Sequence, residues 1–286
     1  MSTQAFSIEM PRVWQSPVVI ASPHSGANYL ESFTSQSILD AKRLRSSEDA
    51  FVDRLFSGAP GLGMPLLAAL MPRAFVDLNR SSEELDPALI EGVTRRGQNP
   101  RVASGLGVIP RVVSNGRTIY RGKMSMAEAR ARIDDYWFPY HEALQKLLDA
   151  SRARFGSTIL IDCHSMPHEA VEGTAPKREL RPEIVLGDRF GASADARIVD
   201  QVEAAFAGAG FRVVRNSPFA GAYITQTYGR PSRNQHAIQV EIDRSLYMHE
   251  AEIRPNEAFE EIQARLTRAL GEIAAIGSEG QPLAAE

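Results

Sequence analysis

The run Thr158-Ile159-Leu160-Ile161 leads without a break into Asp162-Cys163-His164, and Pro167 closes the pattern. A continuous apolar stretch bounded by turn residues reads as a strand buried on both faces, which requires a sheet covered by helices on each side. Open sheets of that kind carry their chemistry beyond the carboxyl ends of the strands. Residues 18–21, Val-Val-Ile-Ala, repeat the design and run into Ser22-Pro23-His24-Ser25-Gly26. Two histidines delivered from two strand ends suggest a shared metal site.

The rest of the chain alternates in the same way. Strands are expected at residues 74–76, 183–186, 211–215 and 237–242. Helices are expected at 34–56 with a break near Ser46-Ser47, at 124–154 with a kink at Pro139, at 193–208, and at 257–276 with Asn256 as its cap. Strands alternating with helices imply an α/β fold with a mainly parallel sheet and helices on both faces, within one domain spanning 1–286. Residues 81–120 are rich in Gly, Pro, Asn and Arg without a clear period. So long an irregular segment is expected to cover a substrate. The last ten residues are expected to fray.

Composition narrows the function classes. With 43% hydrophobic and 23% charged residues the chain is an ordinary globular one, and a net charge of -3 provides no global basic field for nucleic acid. No apolar run approaches the ~18 residues of a membrane span, and no leader is visible at Met1 to Met10. The single Cys163 leaves no internal disulfide, so a cytoplasmic setting is expected.

Several residues are candidates for chemistry. Either histidine alone is more often structural than ligating, but their matched placement favours ligation. A divalent metal, zinc first, would take a third ligand from a carboxylate, and Ser47-Glu48-Asp49 supplies two. Those acids would otherwise only complement a helix dipole. Glu241 follows the apolar strand 237–242, where burial without a partner is costly. It is either a general base beside a metal or a salt-bridge partner of Arg244 or another arginine. Asn79-Arg80, after a short strand, are placed to clamp a substrate carboxylate, although many arginines simply lie at the surface. Cys163 is poorly placed as a nucleophile paired with His164, because neighbours on a strand point to opposite faces.

Taken together, Ser22–Gly26, the stretch from Glu48 to Phe56, Asp77-Leu78-Asn79-Arg80, Gly105-Leu106-Gly107-Val108-Ile109 and Asp162–Pro167 resemble the N-formylglutamate amidohydrolase family. So do Gly221 to Pro231, containing Tyr223 and Arg230, and the stretch from His236 through Glu241 to Met248. The pieces stand in the family's order across nearly the whole chain. The resemblance implies a mixed sheet similar to zinc carboxypeptidases, aspartoacylases and succinylglutamate desuccinylases. It also implies one zinc held by His24, His164 and an acid, Asp49 in preference to Glu48, with Glu241 as catalytic base. Asn79 and Arg80 would hold a substrate carboxylate, Arg230 a second one, and Tyr223 would join them at the substrate.

Two departures stand out. The peptidases use a His-x-x-Glu ligand pair, but Ala27 stands three residues after His24. Members acting in histidine degradation carry an Asp-Thr-Asp-Trp-like stretch where this chain has Ser47-Glu48-Asp49-Ala50. The expected activity is hydrolysis of a small N-acyl amide of an acidic amino acid. The alternatives are another deacylase or peptidase activity at this site, or a binding protein without catalysis.

Overall fold

The computed structural model describes residues 4–94, 99–172 and 181–277. Seven strands form its main sheet: β1 (Phe6–Glu9), β2 (Val18–Ser22), β3 (Leu66–Ala69), β4 (Thr158–Met166), β5 (Ile184–Gly187), β6 (Val213–Arg215) and β7 (Gln235–Asp243). They lie in the order β1-β3-β2-β4-β7-β5-β6. From β3 through β2 and β4 to β7 the strands are parallel. β1 joins antiparallel at one edge, and β5 and β6 run against β7 at the other. The sheet is mixed and mainly parallel, as expected.

β4 and β7 sit at its centre, and every residue of both is buried. Their odd and even positions meet different neighbours, because side chains alternate across a strand. On one face Ile159, Ile161, Cys163, Ile238, Val240 and Ile242 pack against the helices α2 (Ala196–Gly208) and α3 (Phe259–Ala275). On the other, Leu160 and Ala237 pack against Tyr140, Leu144 and Leu148 of α1 (Phe138–Phe155). Farther along this second face the residues turn polar. Asp162 pairs in register with Gln239, and His164 with Glu241. The helices cover the apolar part of the face, leaving the polar block at the strands' carboxyl ends.

The local fold departs from the sequence pattern in instructive places. The expected helix 34–56 is broken into short turns, including Ala41–Leu44, Arg45–Ser47 and Val52–Leu55. Asp49 N–H donates to the His24 carbonyl at 3.0 Å instead of continuing a helix. A tertiary hydrogen bond thus overrides local propensity, and it sets the acid beside the histidine. Residues 74–76 form a turn, with Phe75 N–H and Val76 N–H both directed to the Pro72 carbonyl. The strand there is Leu66–Ala69, whose short, alanine-containing run gives little β signal. Helix 124–154 is interrupted by a π-helical turn at Ile133–Trp137, just ahead of Pro139. Asn256 accepts from Ala258 N–H, but the helix begins beyond it at Phe259.

Residues 81–120 are more structured than their composition suggests. Leu89, Ile90, Val108, Ile109, Val113 and Ile119 join the core. Val112–Val113 and Arg117–Thr118 form a small ribbon. Residues 95–98 and the terminal 278–286 lie outside the described residues. No described helix is long and apolar enough to cross a membrane.

The loop after β2 runs tightly against the chain beyond β3. A Cβ on Gly26 would fall 2.2 Å from the Met71 carbonyl oxygen. Gly26→Ala must therefore push two backbones apart, at a cost of about 1–3 kcal/mol. Chemical denaturation should show a lowered midpoint, and an unchanged one would mean that this approach is not required.

Candidate active site

His24, Asp49 and His164 converge at the carboxyl ends of β2 and β4. One potential ligand atom from each lies within 4.8 Å of the others, and all three residues are buried. Both imidazoles turn Nδ1 toward the same oxygen, Asp49 Oδ2: His164 at 3.0 Å and His24 at 3.4 Å. His24 Nδ1 has no hydrogen-bond partner although it is buried. An orphaned ring nitrogen of this kind needs a partner, and two imidazoles facing one carboxylate form a nitrogen and oxygen donor set suited to a divalent cation. The residues present fit such an ion.

The far sides of the rings are held by carboxylates. His24 Nε2–H donates to Asp77 Oδ1 at 2.7 Å. His164 Nε2 lies 3.1 Å from Asp162 Oδ2 and 3.2 Å from Asn79 Nδ2. With a cation at Nδ1 the proton must sit on Nε2, where the buried Asp162 carboxylate, without a hydrogen-bond partner of its own among the described residues, is the acceptor within ion-pair distance. Carboxylates behind histidine ligands fix the tautomer and raise ligand basicity. Burial alone would lower the His164 pKa, but Asp162, Asp49 and Glu241 outweigh it and hold it well above the usual imidazole range. Burial likewise works against the Asp49 charge. The hydrogen bond from His164, with the His24 and Arg244 charges, keeps its carboxyl well below the usual range.

Glu241 stands beside His164 at the same level on the next strand. Its Oε1 accepts from Gln239 Nε2 at 2.8 Å. Burial first, then the Asp49 charge, push its pKa up to about 7 against the opposing pull of His164, Arg73 and Arg244. A carboxylate poised near neutrality in a cavity has the property required of a general base.

The other expected site residues fall into two groups. Asn79 and Arg80 line the cavity with His24, Asp49, His164 and Glu241. The Asn79 Oδ1 accepts from Ile224 N–H at 2.8 Å, while its Nδ2 lies 3.2 Å from His164 Nε2 and can donate there only when that nitrogen carries no proton. Glu48 turns away from the cluster, with Arg45 at 2.9 Å and the Tyr29 hydroxyl at 3.1 Å. Arg230 NH1 donates to the carbonyls of Gln226 and Gly229. Tyr223 packs on Trp137 and His141. Neither Arg230 nor Tyr223 lines the cavity.

Besides Asp162 and Gln239, Arg244 and Asp77 stand at the site without a role assigned from the sequence. Arg244 pairs with Asp49 rather than Glu241: its NH2 donates to Asp49 Oδ1 at 2.9 Å and its Nε to Ser165 Oγ. Asp77 backs His24 and also accepts from Arg73 Nε and Asn79 N–H. A signal for Asp77 existed, since a histidine ligand needs an acceptor on its second nitrogen. Cys163 is fully buried on the opposite face, where burial raises its thiol pKa, and it takes no part.

The cavity above these groups measures about 590 Å³, a size that suits a small molecule. One wall comes from the 81–120 segment, through Arg101, Leu106 and Val112 among others, and the facing wall from residues 218–222.

Comparison with known proteins is consistent across sequence and structure. A family model described as N-formylglutamate amidohydrolase matches residues 16–248. The N-formylglutamate deformylase of Pseudomonas aeruginosa PAO1 is 33% identical over 241 residues, covering 82% of this chain and 83% of that protein. That of Pseudomonas putida is 31% identical over 243 residues, with the same coverage of 82% and 83%. A crystal structure of N-formylglutamate amidohydrolase from Ralstonia eutropha JMP134 superposes with a TM-score of 0.90 at 35% identity, covering 98% of this chain and 100% of that one.

Proposed function

Because the chain belongs to the N-formylglutamate amidohydrolase family, we propose that it hydrolyses the N-formyl amide of an acidic amino acid such as N-formyl-L-glutamate. The observation that carries this reading is the buried meeting of His24, Asp49 and His164 with Glu241 on the floor of a cavity whose walls supply arginines.

His24 and His164 would hold a divalent cation through Nδ1, with the Asp49 carboxylate completing the set, and zinc suits these donors. Such an ion supplies a lowered pKa for water and polarisation of the formyl oxygen. The remaining work falls to the protein. Asp77 and Asp162 hold the two rings in the tautomer that leaves Nδ1 free to ligate. Glu241 takes the proton of the attacking water and returns it to the departing amide nitrogen, converting a poor leaving group into a neutral amine. Gln239 fixes Oε1 of Glu241, so Oε2 is the oxygen available for transfer. Arg80 binds a carboxylate of the substrate. The wall formed by 81–120 covers the bound molecule and keeps bulk water from the reacting atoms.

The test is formate release from N-formyl-L-glutamate by the purified protein, before and after chelation, with metal content measured in parallel. About one divalent ion per chain with activity lost on chelation and restored by zinc is expected. Bound metal without turnover on this substrate would redirect the search to other N-acyl amino acids. Absence of both would overturn the reading.

A further inference from the structure

Four arginines line the cavity: Arg73, Arg80, Arg101 and Arg244. Two are already committed, since Arg73 pairs with Asp77 at 3.1 Å and Arg244 with Asp49 at 2.9 Å. Arg80 is buried yet has no ion pair among the described residues. Its Nε donates to the Leu106 carbonyl and its NH1 to its neighbour's carbonyl at Asn79, which leaves NH2 uncommitted. Arg101 is exposed at the wall, and its guanidinium has no ion pair or hydrogen bond among the described residues.

These two free cations share one frame. Arg101 sits on the helical turn Pro100–Ala103, where Asn99 Oδ1 caps the N–H groups of Arg101 and Val102 at 3.0 and 3.3 Å. Its carbonyl accepts from Leu106 N–H at 2.8 Å, and the Leu106 carbonyl in turn accepts from Arg80 at 3.2 Å. Burial, Arg73 and Arg101 all oppose the charge on Arg80, and Asp77 and Glu84 favour it. Two like charges on one wall, neither guanidinium ion-paired to a carboxylate among the described residues, suit an anion from outside.

We infer that Arg101 reads the side-chain carboxylate of the substrate, and so sets the preference for an acidic over a neutral N-formyl amino acid. This rests on the function proposed above, and depth decides the assignment. The α-carboxylate is attached to the carbon bearing the scissile nitrogen, so it stays low in the cavity with buried Arg80. The side-chain carboxylate reaches outward to the exposed wall. Arg101 thereby takes the place that the sequence resemblance gave to Arg230.

The experiment compares kcat/KM for N-formyl-L-glutamate and for its neutral isostere N-formyl-L-glutamine, using metal-loaded protein. In Arg101→Gln the value for the acidic substrate should fall by about 10–100-fold, mainly through KM, the range expected for a lost charge-assisted contact. The value for the glutamine compound should hold, so the preference collapses. Arg101→Lys should restore part of it, and Arg230→Ala should leave it intact. An unchanged preference in Arg101→Gln, with the wild type active, overturns the inference alone. A wild type that hydrolyses neither compound overturns the proposed function and the inference with it.

Discussion

Glu241→Gln is expected to lower kcat by about 10²–10⁴-fold while the protein still binds its metal. The substitution keeps size and polarity, and the carbonyl end of the new amide can still accept from Gln239 Nε2. What disappears is an oxygen able to take and return a proton. The pH dependence adds a second readout. In the metal-free protein burial holds the Glu241 pKa up to about 7. A cation at the neighbouring ligands favours the ionised form, so the acid limb of kcat/KM should lie below that value and vanish in the variant. Stability carries the opposite sign. A carboxyl whose folded pKa is raised contributes fully below its ordinary 4.5 and loses that contribution as pH rises through about 7. The chelated wild type should therefore weaken over this window and Glu241→Gln should not. Normal turnover in the variant would remove Glu241 from the mechanism.

Asp49→Ala should cost both metal binding and fold stability. The carboxylate meets His24 and His164 through Oδ2 and the buried Arg244 through Oδ1. Its loss removes the only carboxylate of the ligand set and strands a buried guanidinium, which typically costs about 3–5 kcal/mol. Adding Arg244→Leu should recover much of that stability without recovering the metal, which separates the two effects. Equilibrium unfolding and metal analysis of the single and double variants would show this. Wild-type metal affinity in Asp49→Ala would eliminate it as a ligand.

Much of this arrangement is legible in the sequence because its strongest determinants are local. The unbroken apolar runs before His24 and His164 announce buried parallel strands, and the strand rule then places both histidines at one edge of the sheet. Alternation along β4 and β7 separates Cys163 from His164 and sets Glu241 on the ligand face. What was not legible depends on contacts between distant segments. Asp49 left its expected helix because its N–H found the His24 carbonyl. Arg244 found Asp49 across 195 positions of chain. Arg230 lies in a motif of the right composition, but nearby carbonyls take its NH1 and it does not line the cavity. The segment 81–120 is tied down by scattered apolar residues with no regular period, so its packing could not be read from periodicity.

The level pairing of His164 with Glu241 on neighbouring strands also bears on how the chain matures. Slipping β7 by one residue against β4 would swing Glu241 and Gln239 together to the helix-covered apolar face. No half-formed version of the site exists along that slip, because His164 and Glu241 are referenced to the same rung of the sheet. On the proposed function, recovery of turnover during refolding reports correct β4–β7 registration, while metal uptake, whose donor residues lie on β2, β4 and the Asp49 turn, can precede it. Followed side by side after dilution from denaturant, the two signals would time the docking of the C-terminal strand against the rest of the sheet.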